Sequence, residues 1–284
     1  MELLFYLRDI LIRMKKKDKS IFNIDYTKQF KILNNFNKPK NNLERSYYQY
    51  KCQMELQSTL ITFIQNLISI PLLIYYYFKI SKEASSNKRT IKKNAIFIGE
   101  NLSYDLLTEK LLDEFDEVKL FNYSNDMILK YKDVKLLKKI LKKYWFSPYF
   151  VLKVLIKIAL YSFYISEYNP HSMISSSEYS FTSSVLTEFC SLNNVKHINV
   201  MHGEKIFNIR DSFVSYDRYY VWDMHYVDLM TKLGDKKNQF IIGKPPKIKI
   251  SLKFKKPIYK FTYYLQNEKI RELKKIKACL DKME

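Results

Sequence analysis

The chain has 284 residues, 47% of them hydrophobic and 16% aromatic, which excludes a wholly disordered protein and allows one large or two smaller domains. It contains only four glycines, Gly99, Gly203, Gly234 and Gly243, and neither GxGxxG nor GxxxxGK[ST] can be built from them, which excludes classical dinucleotide oxidoreductases and P-loop NTPases. The formal net charge is +20 at pH 7, and a charge of this size raises the question of a polyanionic partner.

Lysines spread along the chain supply nearly all of the positive charge. A basic protein can bind nucleic acid through its phosphates, but scattered lysines are typical of solvated faces, and no nucleic-acid partner is predicted. The charge favours an anionic membrane as the partner, with the protein bound peripherally to its surface. Cys52, Cys190 and Cys279 are odd in number and lack metal-ligand spacing, which indicates a reducing cytosol.

Residues 1–90 are predicted to form a helical, basic region that is a candidate for membrane association. Two apolar stretches, residues 58–80 and 144–165, approach the roughly 20 residues needed to span a bilayer. Polar residues and a proline interrupt the first, and the second contains Lys153 and Lys157. Charge at the membrane centre costs about 2.5–3.5 kcal/mol per residue on insertion scales. Interfacial or core helices are therefore favoured over spans, and the chain is expected in the cytoplasm at the inner face of the cell membrane.

From residue 91 the sequence alternates predicted strands with predicted helices. Short apolar runs indicate strands at residues 94–100, 117–124, 171–177, 195–203, 218–223 and 238–246. Helical patterns lie between them at residues 103–115, 125–168, 180–194 and 224–234. This alternation predicts an α/β fold with a Rossmann-like parallel sheet over residues 91–246.

The residues that follow the predicted strands are candidates for a site, because ligands of open parallel sheets bind outside the carboxyl ends of the strands. These residues are Gly99-Glu100, Ser176-Ser177-Glu178, His202-Gly203-Glu204, Asp223 and Gly243-Lys244. The set was chosen by position alone, yet it is rich in acids and contains a histidine. The sequence therefore predicts a functional site at this edge of the sheet.

A lysine-rich connector at residues 247–257 leads to a predicted strand and amphipathic helix at residues 259–284. One βα unit cannot bury a sheet by itself, since a parallel strand needs neighbours and cover on both faces. The segment 247–284 therefore either pairs with the first sheet or begins an incomplete second domain.

Several stretches together resemble bacterial glycosyltransferases of the two-Rossmann-domain (GT-B) kind. They are "SSSEYSFTSSVLTEFC", "INVMHGEK", "SYDRYYVWDMHYVDLM", "QFIIGKP" and "FTYYLQNE". The likeness covers residues 94–284 and is greatest to polysialyltransferase- and sialyltransferase-like enzymes of capsule or lipopolysaccharide assembly. It implies that residues 91–246 form an acceptor-side domain with an HG turn after a buried strand. The second Rossmann domain of such enzymes often carries a His-Pro pair, and no histidine follows His225, so truncation of that domain is expected.

The resemblance implies transfer of a sugar, with sialic acid from a CMP-activated donor as the leading choice, to a capsule or lipopolysaccharide acceptor. The nucleotide sugar is then a co-substrate; no further cofactor is implied, and no residue cluster indicates a metal site. The first alternative is a CDP-glycerol or other polyol-phosphate transferase of the teichoic-acid type, which also has an HG turn. The second is a non-catalytic remnant that binds a membrane or a partner chain.

A transferase of this class must deprotonate an acceptor hydroxyl and stabilise a departing phosphate. Glu204 and Glu178 are the candidate bases. His202 is a candidate to bind the phosphate or assist the leaving group, with Lys205 supplying charge. The candidate substrate-binding residues are Gly203, Lys205, Glu100, Ser176 and Asp223.

Structural alternatives stay open at most of these positions. Glu178 has the position of a first-turn helix acid, Glu204 and Glu100 fit solvated loops, and Asp223 fits the N-cap of a helix that begins at Met224. A structural role is predicted for the remaining histidines, His171, His197 and His225.

Overall fold

The computed structural model describes residues 25–83, 93–99 and 106–243. The chain divides into two compact units, Met1–Lys247 and Ile248–Glu284. The second unit, with the predicted strand and helix at residues 259–284, lies outside the described residues. The incomplete second domain and the predicted domain boundaries therefore stay predictions.

Three helices open the described chain: α1 (Tyr26–Asn34), α2 (Asn42–Glu55) and α3 (Thr59–Lys79). Polar residues precede them, and the side chains of Asp25, Asn41 and Ser58 each accept a hydrogen bond from a first-turn backbone N–H. Such caps satisfy donors that have no partner inside the helix. The helical prediction for this region is confirmed over the residues that these three helices span.

The described strands are β1 (Ser81–Glu83), β2 (Asn94–Ile98), β3 (Glu117–Phe121), β4 (Ile128–Lys130), β5 (Ser172–Ser175), β6 (Lys196–Val200), β7 (Arg218–Val221) and β8 (Phe240–Ile242). Six of them form one sheet in the order β3-β2-β5-β6-β7-β8, with every pair of neighbours parallel. These are the six strands that the sequence predicts. The predicted parallel α/β sheet is therefore confirmed, and β1 pairs with β4 in a separate two-stranded sheet.

The strand order reverses between β2 and β5, because β3 lies on one side of β2 and all later strands of the sheet lie on the other. At such a point the connections leave in opposite directions and open a crevice at the carboxyl ends of the strands. Ile98 and Ser175, the last residues of β2 and β5, are paired in register. Gly99 and Ser176 therefore lie at the mouth of this crevice.

Helices α4 (Glu109–Leu112), α5 (Tyr131–Tyr144), α6 (Pro148–Tyr168), α7 (Ser183–Leu192) and α8 (Met224–Lys232) connect the later strands. The prediction of continuous helical structure over residues 125–168 is wrong at β4. Ile128 and Leu129 are buried in β4 beside β1. A short apolar run next to a helix has no periodicity of its own, so the sequence pattern cannot separate it from the helix.

Both faces of the main sheet are covered, as a parallel sheet requires. Along β2, Ile96 and Ile98 pack into a core cluster with residues of α5, α6 and α7. Ala95 and Phe97 point to the other face and pack with Leu111 of α4. Because both faces are covered, all four residues 95–98 of this strand are apolar and buried, and such a run stands out in the sequence.

Two helices in the described ranges, α3 and α6, are long and apolar enough to cross a membrane by length and composition. They differ in burial, since 72% of the apolar window of α6 is buried and only 17% of that of α3. Helix α6 packs against the sheet as a core helix. Helix α3 packs on α6 with one side and leaves the other side open.

Candidate functional site

The centre of the candidate site is the carboxylate of Glu178, which lies in the loop between β5 and α7 and has no exposed surface. Asn199, in the neighbouring strand β6, donates from Nδ2 to Glu178 Oε2 at 3.2 Å. The Oδ1 atom of Asn199 accepts from Ser177 N at 3.0 Å, and this fixes the orientation of the amide. Because β5 and β6 are parallel neighbours, the loops at their carboxyl ends meet at this point.

The loop after β6 brings two nitrogen atoms to the same carboxylate. His202 Nδ1 lies 3.1 Å from Glu178 Oε1, and Lys205 Nζ forms an ion pair with that oxygen. The side chain of Lys205 is 6% exposed, whereas that of His202 is 38% exposed. Of the groups that hold Glu178, His202 is therefore the one that a ligand in solvent can reach.

The environment keeps Glu178 ionised. Burial raises the pKa of a carboxyl group, but here the hydrogen bond from His202 and the charge of Lys205 outweigh burial and lower the pKa of Glu178 to about 2. A carboxylate next to Nδ1 favours the tautomer that is protonated at this nitrogen. In the neutral imidazole the Nε2 atom of His202 then carries the free lone pair.

Helix α2 binds the backbone of the two loops that form the site, the loop after β5 and the loop after β6. Gln49 Nε2 donates to the carbonyl oxygens of Glu178 and Arg210, both at 2.9 Å. Gln53, one turn later, donates to the carbonyl oxygens of Tyr179 at 2.8 Å and Arg210 at 2.9 Å. The two glutamines therefore fix the backbone at Glu178 and Tyr179 relative to the backbone at Arg210.

An aromatic ring lies beside His202, and a guanidinium group lies over that ring. The ring of Tyr179 is 40% exposed and stands perpendicular to the imidazole, with 6.1 Å between the ring centroids. The guanidinium carbon of Arg210 lies 5.7 Å from the centroid of the Tyr179 ring. Arg210 Nε donates to Asp211 Oδ1 at 2.9 Å. The rim thus combines an exposed π-face with a cation, a pairing that suits planar or anionic ligands.

The other predicted site residues have different surroundings. Glu204 is exposed beside His202, and Ser176 has a buried Oγ without a hydrogen-bond partner among the described residues. Asp223 is the N-cap of α8 and accepts from His225 N at 2.8 Å. Glu100 lies outside the described residues. The structure therefore brings His202, Glu178 and Lys205 into contact, whereas Asp223 has the capping role that the sequence left open.

Gly203 lies in the turn between His202 and Glu204, and its position has room for a side chain. A Cβ atom built on Gly203 meets nothing within 4 Å. At Gly234, in contrast, φ is +89° and a Cβ atom would lie 2.7 Å from Phe213 Cε1. The absence of a side chain at Gly203 is thus not needed for folding, and it leaves the edge of the site open to a ligand.

We expect Gly203→Ala to change the free energy of unfolding by less than about 0.5 kcal/mol, as at an unconstrained surface position. Gly234→Ala is the matched comparison and is expected to cost roughly 1–3 kcal/mol, because a residue with a side chain is strained at this positive φ. Urea unfolding of the two variants beside the parent protein measures both values. Equal losses in the two variants would contradict the open space at Gly203.

His197 occupies the interior of β6 and is fully buried. Thr187 Oγ1 lies 2.6 Å from the Ser215 carbonyl oxygen and donates to it, so the same hydroxyl accepts from His197 Nδ1 at 2.8 Å. The Nε2 atom then accepts from Tyr161 OH at 3.3 Å. His197 is therefore a neutral, hydrogen-bonded core histidine, as the sequence predicts.

Asn199 is the main site residue that the sequence analysis missed. It had a signal, since an amide in the middle of the apolar strand "HINV" must find a buried partner. Gln49 and Gln53 had no such signal, because the carbonyl groups that they bind lie more than 120 residues away in the sequence.

In residues 25–83, 93–99 and 106–243, no group of three or more His, Cys, Asp or Glu side chains is placed to hold a metal ion.

The fold and the site define a class: a parallel α/β protein with a buried carboxylate, paired with histidine and lysine, at the carboxyl edge of its sheet. Comparison with protein-family models and with curated proteins gave no match for this chain. Comparison with solved structures also gave no match. The function is therefore inferred from the site together with the resemblance in sequence.

Proposed function

We propose that this protein is a glycosyltransferase that moves a sugar from a nucleotide-activated donor to a glycan or glycolipid acceptor of the cell surface. A CMP-linked acidic sugar is the leading donor by resemblance. The observation that carries the proposal is the contact between buried Glu178 and partly exposed His202. It lies at the carboxyl edge of a parallel sheet, where such folds bind ligands.

In this proposal His202 is the catalytic base. Its Nε2 atom takes the proton of an acceptor hydroxyl as the hydroxyl oxygen attacks the anomeric carbon of the donor. The bond between that carbon and the phosphate oxygen breaks, and the nucleotide leaves with the electron pair. Glu178 is a positioning residue, because it holds Nδ1–H and stabilises the imidazolium that forms.

The geometry divides the roles differently from the sequence prediction. Glu178 was a candidate base, but it has no exposed surface, so proton exchange with a ligand passes through His202. Lys205 was a candidate substrate-binding residue that supplies charge, and its Nζ is instead engaged by Glu178. Arg210 keeps N–H donors beyond those that bind Asp211 and takes the phosphate role in the proposal. Glu204 remains an exposed alternative base beside His202.

We expect His202→Ala to lower the rate of sugar transfer by about 10²–10⁴-fold, the usual contribution of a general base. The assay uses the full chain, a radiolabelled CMP-linked acidic sugar and surface-glycan acceptors, and it follows label in the glycan. His225→Ala is the matched control, because His225 is an exposed histidine at the start of α8 and is not among the groups that bind Glu178.

Unchanged turnover in His202→Ala would overturn the role of His202, and absence of transfer by the parent protein with any nucleotide sugar would overturn the proposed activity. The linkage in the product is a second criterion. A glycosidic bond supports the proposal, whereas a phosphodiester bond formed from a CDP-polyol would replace it with the polyol-phosphate alternative.

A further inference from the structure

Helix α3 exposes large apolar residues, unlike an ordinary surface helix. The side chains that it buries against the protein are the polar Gln65 and Ser69 and the apolar Leu72. The exposed side carries large apolar residues at helical spacing along the whole helix: Leu60, Phe63, Leu67, Ile70, Ile74 and Phe78. A surface helix normally buries its apolar stripe and exposes its polar one.

This apolar stripe is long and continuous. Phe78 follows Leu60 by 18 positions, so the stripe is about 27 Å long at 1.5 Å per residue. Leu60 is 67% exposed, Phe63 64% and Phe78 74%. Helix α3 also contains no acidic residue. A contiguous apolar surface of this kind marks an interaction site.

The polar residues of α3 tie it to the rest of the protein. Asn66 Oδ1 accepts from Tyr149 N, at the start of α6, at 3.2 Å. Gln65 Oε1 accepts from Gln57 Nε2 at 2.8 Å. Because these contacts fix the inner side of α3, the apolar side faces away from the protein.

Lysines and exposed aromatic residues lie in the segment that leads into α6, the helix on which α3 packs. Helix α5 carries six lysines on its exposed side, and its one acid, Asp133, is buried. It ends at the exposed pair Trp145 and Phe146. That pair precedes Tyr149 by at most four residues, which places it at the end of α6 that Asn66 contacts. Basic residues beside exposed aromatic and aliphatic side chains are the composition of interfacial membrane segments.

We infer that the apolar stripe of α3 is a membrane-docking surface whose partner is an anionic lipid bilayer. In the bound state helix α3 lies parallel to the membrane surface, with its stripe at the boundary between headgroups and acyl chains, because its other side remains packed on α6. The lysines of α5 attract anionic headgroups. The net charge of +20 complements such a surface over a longer range. This inference does not depend on the proposed catalytic activity.

The test is co-sedimentation of the full chain with vesicles of 70% phosphatidylcholine and 30% phosphatidylglycerol, compared with pure phosphatidylcholine. We expect binding that is stronger on the anionic vesicles. Phe63→Glu/Leu67→Glu is expected to lower it by at least tenfold, because both charges enter the apolar boundary. Leu192→Glu is the matched control, since Leu192 is equally exposed at the end of α7 and lies outside the stripe.

Fluorescence gives an independent readout, because Trp145 is 69% exposed. Its emission is expected to shift to the blue with anionic vesicles, and Trp145→Phe is expected to remove the shift. Equal binding by the double variant and the parent protein would overturn the inference. A second result would also overturn it: the parent protein binds neither kind of vesicle and forms dimers, and Phe63→Glu/Leu67→Glu dissociates these dimers. In that case a second copy of the chain would cover the stripe.

Discussion

The free energy of unfolding is expected to fall by about 4 kcal/mol as the pH is lowered from 6.5 to 3, because the unfolded chain binds a proton at His197 and the folded protein does not. Burial lowers the pKa of His197 from 6.5 to about 3. Above pH 6.5 the residue is neutral in both states, and its contribution to stability is fully present. Between the two pKa values the unfolded state gains protons, and below pH 3 the contribution is lost.

The surroundings of His197 explain why protonation is so unfavourable. Thr187 and Tyr161 occupy its two ring nitrogens in the neutral form. The ring of Tyr216 lies 5.0 Å from the imidazole, centroid to centroid. The carboxylate of Asp217 is engaged by the backbone N–H of His197 at 2.8 Å. An imidazolium at this position would therefore have a ring N–H without an acceptor, and its charge would be buried without a counter-ion.

Urea unfolding at a series of pH values measures this effect, and the range from pH 6.5 to 4.5 isolates it from the carboxylates. His197→Gln is expected to be less stable at neutral pH and to lose less stability on acidification. His171→Gln is the matched control, because burial also lowers the pKa of His171 but the residue is largely exposed. If the pH dependence of His197→Gln matches that of the parent protein, His197 is not its source.

The main sheet could be predicted because its strands are buried on both faces. Runs such as "NAIFI" are apolar at nearly every position, and turns or helices with clear boundaries separate them. The order β3-β2-β5-β6-β7-β8 could not be predicted. It depends on which side of β2 each crossover returns to, and local periodicity does not encode that choice.

The candidate site was found from the sequence, but its chemistry was not. The strand-end rule selected Glu178 and His202 because each follows a strand. Whether a side chain there points inward or outward depends on packing between distant segments. Glu178 is buried because Gln49 binds its backbone and Lys205 neutralises its charge. The exposed stripe of α3 could not be predicted either, because hydrophobicity alone does not show which side of a helix is covered.

Glu178→Gln is expected to destabilise the protein by about 3–5 kcal/mol, because it leaves the ammonium group of Lys205 buried without its counter-charge. Lys205→Met is expected to cost a similar amount by leaving the carboxylate without that cation. The double variant Glu178→Gln/Lys205→Met removes both charges together. We expect it to be markedly more stable than the sum of the two single losses implies.

The same pair sets the stability of the protein in acid. The pKa of Glu178 is lowered from 4.5 to about 2, so its contribution is present above pH 4.5 and is lost as the pH falls through 2. The shift corresponds to roughly 3 kcal/mol. Glu178→Gln should therefore abolish this part of the acid dependence, and the dependence due to His197 at higher pH should remain.

Urea unfolding of the two single variants and the double variant measures the coupling energy as a double-mutant cycle. Glu188→Gln is the matched control, because Glu188 pairs with the mostly exposed Lys139 at 4.0 Å. Such a surface pair contributes about 1 kcal/mol or less. Additive losses at Glu178 and Lys205 would show that the pair does not act as a unit. A large coupling would show that charge compensation keeps the Glu178 carboxylate ionised beside His202, the state that the proposed proton transfer requires.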